Sequence, residues 1–207
     1  MTPTETHAVR PRIEGDRELE ILEAALEVLA DVGYDRLTMD AVAARARASK
    51  ATLYRRWNSK VGLVIDALLA EKSAPPVPDT GSFRGDLIEA FCGVGGLVDA
   101  KQVGTFSSVL TALTRDEEFA VEFRSRVLGP KIEASRAVYE RAKARGEVRR
   151  DLDIGLFGPA LAGICLHRLY VLGEPPTREL VSRVIDQIIV PAATASGSIP
   201  TTEELHV

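Results

Sequence analysis

Residues 41–60, AVAARARASKATLYRRWNSK, decide how this chain folds. The stretch carries no acidic residue, although the whole chain of 207 residues is acidic, with a formal net charge of −4. Positive charge concentrated against the overall balance favours a partner made of phosphates. The basic residues of the stretch are Arg45, Arg47, Lys50, Arg55, Arg56 and Lys60.

Three helices are predicted in and just before this stretch. Apolar residues recur at helical spacing over 16–32. Thr38 is a good N-cap for a short helix over 39–46, and Ser49 is a good N-cap for another that ends near Trp57. Two short helices joined by about three residues, following a longer helix, predict a helix-turn-helix.

The rest of the chain also has helical patterns, with no strand and no repeat. A helix over 60–72 follows Ser59, and the prolines and glycine of 73–82 then break the pattern and mark a domain boundary. The helix predicted over 117–145 is expected to be kinked or split at Gly129-Pro130. The later helices are predicted over 83–100, 104–114, 117–145, 153–172 and 177–193. We therefore predict an all-α protein of about nine helices.

The same patterns divide the chain into domains. We expect a flexible arm over 1–15, a helix-turn-helix domain over 16–74, a helical domain over 82–195 and a flexible tail over 196–207. Hydrophobic residues make up 45% and charged residues 27% of the chain, which is typical of a soluble protein with a buried core. The uncharged run 154–166 is shorter than the roughly 20 residues a membrane-spanning helix needs, so we predict a buried helix of a soluble protein or dimer.

The helix-turn-helix carries the candidate nucleic-acid site. Helix N-termini bind phosphate through free N–H groups and the helix dipole, and hydroxyl, amine, phenol and guanidinium groups bond phosphates and base edges. Arginines on a short helix can also merely solvate it, but that interpretation leaves the two caps and the missing acids unexplained. The candidate DNA-binding residues are Thr38, Arg47, Ser49, Lys50, Thr52, Tyr54, Arg55, Arg56 and Lys60.

The stretch from about residue 20 to 70 resembles the DNA-binding domain of the TetR family of bacterial transcriptional regulators. The portion A-T-L-Y-x-x-W-x-S-K at 51–60 is especially specific. The resemblance implies that Thr38, Ser49, Lys50, Thr52, Tyr54 and Lys60 contact an operator. The family often has a glycine in the turn where this chain has Arg47, which indicates a different turn geometry, a small strain or an added phosphate contact.

The C-terminal half is similar to the family only in length, helix count and two apolar final helices. The resemblance implies a homodimer, and a site for a small hydrophobic or amphipathic effector in this half. The candidate dimer residues are Leu161, Ile164, Arg168, Val184, Ile185 and Ile188. The candidate effector-pocket residues are Phe91, Cys92, Phe106, Leu110, Phe123, Tyr139, Cys165 and His167. Both sets are also compatible with a plain intrachain core.

The resulting hypothesis is a cytoplasmic bacterial repressor that binds a near-palindromic double-stranded operator as a dimer and releases it on binding an effector. A regulator without a small-molecule effector, and an activator, are the alternatives. An enzyme is disfavoured because no Ser-His-Asp arrangement or Cys/His cluster is recognisable, and Gly93-Val94-Gly95-Gly96 lacks the spacing of a nucleotide-binding motif. We expect no cofactor and no metal, and we interpret Cys92 and Cys165 as buried reduced thiols.

Overall fold

A computed structural model describes residues 14–70, 77–93, 96 and 100–195 of the chain. These residues form helices and connecting turns, with no strand among them, which confirms the all-α prediction. The predicted arm and tail, and part of the predicted break over 73–82, lie outside the described residues, apart from the first residues of α1.

Four helices make up the N-terminal part. They are α1 (Glu14–Val32), α2 (Met39–Arg45), α3 (Lys50–Arg56) and α4 (Lys60–Ala70).

Five more helical elements follow, so the described residues hold nine. They are α5 (Phe83–Cys92), α6 (Ala100–Arg115), α7 (Glu117–Glu122, Phe123–Leu128 and Gly129–Arg145 in succession), α8 (Ile154–Leu172) and α9 (Arg178–Val184, Ile185–Ile189 and Val190–Thr194 in succession).

The predicted N-caps are confirmed. The Thr38 hydroxyl accepts a hydrogen bond from the Ala41 N–H at 3.1 Å, and the Ser49 hydroxyl accepts one from the Thr52 N–H at 3.1 Å. Ser59 caps α4 in the same way. Each cap satisfies a backbone donor that the first helical turn leaves without a partner.

The predicted helix over 83–100 is wrong in its C-terminal half, because α5 ends at Cys92. At Gly93 the backbone turns out of the helix, and a Cβ there would lie 2.4 Å from the Glu89 carbonyl oxygen. Only glycine fits so close to that carbonyl. The glycine-rich segment therefore breaks the helix at Gly93.

Helices α7 and α9 each contain a π-helical turn just before a proline. In α7 the wide turn Phe123–Leu128 precedes Pro130, near the predicted kink. In α9 the turn Ile185–Ile189 precedes Pro191, where the sequence predicted an uninterrupted helix. A proline has no N–H and its ring clashes with the carbonyl four residues earlier, so a wider turn lets the helix continue past it.

By their contacts the residues fall into two compact units, Met1–Ser73 with Ser107–Phe123 and Ala74–Phe106 with Arg124–Val207. In the first unit α4 packs against α1. The apolar faces of α1 to α4 form a small core in which Leu53 and Trp57 are buried. The Tyr34 and Phe119 rings lie 4.7 Å apart, which attaches Glu117–Glu122 to this unit.

The second unit has its own core. Phe83 and Leu87 of α5 pack there with Tyr139 of α7, Leu161 of α8 and Ile185 of α9. The charged residue Asp86 is also fully buried in this unit, and its carboxylate accepts hydrogen bonds from the backbone and hydroxyl of Thr80 at 2.6 and 2.8 Å and from Arg145 at 3.1 Å.

One described helix, α8, is long and apolar enough to cross a membrane by length and composition. The sequence predicted a buried helix of a soluble protein or dimer, and in the described structure most residues of this helix are partly or largely exposed. Leu161 and Cys165 face the core, whereas Leu156 and Val171 are 70% and 66% exposed. The helix therefore presents an apolar surface that the described residues do not cover.

Candidate nucleic-acid interface

The turn of the helix-turn-helix is built around Arg47. Its φ is +51°, and it is the one residue other than glycine with positive φ in the described part of the chain. The Ala48 N–H donates to the Ala43 carbonyl at 2.8 Å, and the Arg17 guanidinium donates to the Arg47 carbonyl at 2.7 Å. A left-handed conformation costs a side-chain-bearing residue about 1–2 kcal/mol, so of the possibilities raised by the sequence the structure shows the small strain.

Hydroxyl groups stand at the start of both helices of the motif. Thr38 and Ser49 are exposed, and the Ser49 hydroxyl lies 2.8 Å from that of Thr52. Tyr54, one turn along α3, is 51% exposed. A hydroxyl that accepts a capping bond still has a proton to donate, so these groups can cap a helix and bind an acceptor at the same time.

Acidic side chains from outside the basic stretch pair with several of its cations. Arg45 binds Glu27 and Asp31 at 3.0 and 2.7 Å, Lys50 binds Asp40 at 2.5 Å, and Arg56 binds Glu18 at 3.0 Å. Hydrogen bonds to these carboxylates raise the pKa of all three basic groups. The pairs are exposed, so each is worth little and can be exchanged for a phosphate.

The pairs with Glu18, Glu27 and Asp31 could not be predicted from sequence, because these three residues lie on α1, away from the basic stretch. Only the packing of α1 against the helix-turn-helix brings them to the cations. Arg47 and Arg55 differ, since no carboxylate pairs with either in the residues that the structure describes. Both side chains are exposed and carry unshared positive charge at this surface.

The predicted contact Lys60 is already engaged within the chain. Its ammonium group donates to the Tyr34 carbonyl at 3.3 Å and lies 4.1 Å from the centre of the Tyr34 ring. The Tyr34 hydroxyl in turn donates to Asp116 at 2.8 Å, and burial followed by this bond raises the pKa of Tyr34. This role of Tyr34 could not be predicted from sequence, because it depends on Asp116, 82 positions away.

The candidate effector residues are only partly brought together. Tyr139 and Cys165 lie in the core of the second unit, with Phe91 and Cys92 packed against it. Cys165 is buried as predicted, whereas Cys92 is only half-buried, and burial raises the pKa of both thiols. The remaining candidates lie elsewhere: Phe106 stacks on Tyr170, His167 is exposed, and Leu110 and Phe123 belong to the first unit.

The candidate dimer residues also separate into two groups. Leu161, Val184 and Ile185 are buried in the intrachain core, because the inner faces of α8 and α9 cover α5 and α7, so the intrachain alternative holds for these three. The other candidates are more open: Ile164 packs at the edge of that core, Arg168 pairs with Glu174, and Ile188 is 48% exposed.

Comparison with known proteins agrees with this architecture. Residues 21–67 match the family described as bacterial regulatory proteins, tetR family, and residues 77–188 match the tetracyclin repressor-like C-terminal domain. The regulator YdeS of Bacillus subtilis is 31% identical over 90% of this chain and 96% of its own length. The DNA-binding transcriptional repressor TetR of Mycobacteroides abscessus is 34% identical over 84% of this chain and 92% of its own.

Among solved structures, the TetR family transcription regulator SCO0332 superposes with a TM-score of 0.64 and 26% identity, over 84% of this chain and 97% of that one. The chain belongs to the TetR family of helix-turn-helix transcriptional regulators.

Proposed function

We propose that the protein is a ligand-responsive repressor that binds a near-palindromic operator as a homodimer in the bacterial cytoplasm. The observation that carries the proposal is a cluster on α2, the turn and α3 of solvent-accessible hydroxyls and of arginines that pair with no carboxylate of the described residues. Ser49, Thr52, Tyr54, Arg47 and Arg55 are the groups that bond phosphates and base edges, and α3 has the place in the motif of a recognition helix.

The homodimer is supported by the uncovered apolar surface of the last two helices. Leu156, Val171 and Leu172 of α8 are exposed by half or more, and Ile188 of α9 by 48%. An exposed apolar surface on a family member that reads DNA with one short helix favours a second copy, because two copies double the contacts to two half-sites.

The effector site is proposed in the second unit, next to Phe91, Cys92 and Tyr139. These residues line an apolar environment suited to a hydrophobic or amphipathic ligand. Such a ligand releases the operator only to the extent that it binds the DNA-incompetent conformation more tightly, and a complete switch needs about 10⁴-fold preference. In the first unit, α4 packs against α1 and against Glu117–Glu122, so its position bears directly on the helix-turn-helix.

The test compares the DNA affinity of two arginine variants. The duplexes used cover the region upstream of the protein's own gene. Arg55→Ala removes a cation of α3 that pairs with no carboxylate in the described residues, and Arg150→Ala removes an arginine of the second unit that is also exposed. We expect Arg55→Ala to weaken binding and to flatten the slope of log affinity against log salt by about 2 for a dimer, since each lost phosphate contact accounts for about 0.9. Equal effects of the two variants would contradict the placement of the interface.

A further inference from the structure

One carboxylate stands among the side chains that we place at the DNA surface. Between Leu37 and Ile65 the chain has a single acidic residue, Asp40, which immediately precedes the basic stretch. It lies in the first turn of α2, after the cap Thr38. A carboxylate at this place repels phosphate, so its presence at a surface that binds DNA needs an explanation.

The structure ties Asp40 to the recognition helix. Its carboxylate oxygen accepts a hydrogen bond from the Lys50 ammonium at 2.5 Å, and the side chains are 55% and 66% exposed. Lys50 opens α3, next to Ser49 and two residues before Thr52. The carboxylate therefore lies at the meeting point of α2 and α3, within reach of whatever α3 contacts.

The chemistry of base edges limits what such a carboxylate can bind. An ionised carboxylate only accepts hydrogen bonds. In the major groove cytosine offers its N4 amino group as a donor, whereas the N6 amino group of adenine adjoins the acceptor N7, which repels a carboxylate. Guanine offers acceptors there and thymine an acceptor and a methyl group, so neither satisfies Asp40, while a lysine suits guanine.

We propose that Asp40 determines specificity: in each half-site it accepts a hydrogen bond from the N4 amino group of a cytosine, and at other sequences it holds Lys50 away from phosphate. The inference rests on the proposed function and names the base that the interface selects. An exposed ion pair is weak, so Lys50 leaves Asp40 at small cost where the cytosine satisfies the carboxylate and a guanine accepts from Lys50. At a non-cognate sequence no N4 amino group is offered, so Asp40 keeps Lys50 and the complex gains neither contact.

Selection from random-sequence duplexes tests the proposal with four proteins: the unaltered chain, Asp40→Asn, Asp40→Ala and the control Asp31→Asn. Asp31 matches Asp40 in exposure, 55% for both side chains, and also pairs with a cation of the motif, Arg45. An asparagine amide bonds adenine N6 and N7 together, so Asp40→Asn is expected to replace cytosine by adenine at one position per half-site and leave the others unchanged.

The two remaining variants complete the expected result. Asp40→Ala loses the preference at that position, by about five- to a hundred-fold per half-site, and binds random DNA more tightly because Lys50 is released. Asp31→Asn selects the same sequence as the unaltered chain. Melting temperatures measured alongside check that every variant is folded.

Two outcomes would overturn the inference, and they are distinguishable. If Asp40→Asn and Asp40→Ala bind all duplexes more tightly but select an unchanged sequence, Asp40 only neutralises Lys50 and reads no base. If the unaltered chain itself selects no palindrome, the proposed function fails, and this inference fails with it.

Discussion

At the scale of single residues, Arg47 joins two effects that are normally separate. Its backbone holds the left-handed conformation of the turn, and its side chain is an exposed cation without an ion-pair partner in the described residues. Glycine would give the same turn without strain but would remove the charge. The chain accepts a small loss of stability at a position where a positive charge faces the proposed DNA surface.

Two substitutions separate the strain from the charge. Arg47→Gly is expected to raise the free energy of unfolding by up to about 1 kcal/mol, because relief of the left-handed strain exceeds the entropy that glycine adds to the unfolded chain. Arg47→Ala keeps the strain and should leave stability nearly unchanged. Both should weaken DNA binding equally if the guanidinium contacts phosphate. Denaturant unfolding and DNA titration measure the two effects.

The buried carboxylate of Asp86 is the second residue-scale case. Burial alone would raise its pKa, but hydrogen bonds from Thr80 and Arg145 outweigh burial and lower it. A lowered folded-state pKa means that the stabilisation is present above the unfolded value of 3.8 and is lost as pH falls through the folded value.

Asp86→Asn should therefore lower the free energy of unfolding at pH 7 by about 2–3 kcal/mol, because a neutral amide loses the charge-assisted hydrogen bonds from Thr80 and Arg145. The difference from the unaltered chain should shrink as pH falls towards 3. The control is Asp186→Asn, which breaks the exposed pair with Arg84 and should change stability little. A constant difference between pH 7 and pH 3 in chemical unfolding would show that charge is not the cause.

At the scale of helices, the sequence predicts a helix boundary well where one or two residues determine it. Caps at Thr38, Ser49 and Ser59, and the pattern of α1, could be predicted because capping and amphipathicity are local. The π-helical turn before Pro191 could not, because whether a proline ends, bends or widens a helix depends on the packing around it. In α9 both Ile185 and Ile189 of that turn are buried in the core, which favours continuation over a break.

The site divides in the same way. The polar residues of α2 and α3 follow from a motif of fixed spacing, whereas Glu18, Glu27 and Asp31 reach it only through the packing of α1. The hydrogen bond from Lys60 to the Tyr34 carbonyl likewise depends on tertiary structure. Sequence therefore indicated which groups form the surface, but not which of them are already paired.

Caps at the DNA surface and away from it should behave differently. Thr38→Ala and Thr177→Ala each remove one capping bond, to Ala41 and Leu180 respectively, and each should cost about 1 kcal/mol of stability. Thr38→Ala should also weaken operator binding, because we propose that its exposed hydroxyl contacts the phosphate backbone. Operator affinity lowered equally by both, at matched stability, would show that Thr38 acts only as a cap.

At the scale of the whole molecule, the exposed apolar surface of α8 and α9 determines the expected assembly. The inner residues of these helices, such as Leu161 and Ile185, are used by the core of one chain. Leu156 and Ile188 remain outside. A surface helix with one face in the core and apolar residues on the other is typical of an interface between copies.

Charged substitutions test this assembly. Leu156→Glu and Ile188→Glu should each raise the dimer dissociation constant by at least ten-fold, because a carboxylate buried at an interface loses its hydration. Ile132→Glu is the control, since Ile132 is also apolar and 50% exposed but lies on α7. Analytical ultracentrifugation distinguishes the variants. If only Ile132→Glu dissociates the protein, the interface lies on α7 instead.

The central claim is that two copies of this helix-turn-helix read one palindromic site. The most direct test titrates the protein into a duplex of the selected palindrome and into a scrambled duplex of equal length and composition. Both titrations are made at two salt concentrations and read for affinity and stoichiometry. We predict saturation at two or four chains per palindrome, with affinity at least about 10³-fold above the scrambled duplex and falling steeply with salt. Equal affinity for the two duplexes, or saturation at one chain per site, would contradict the account.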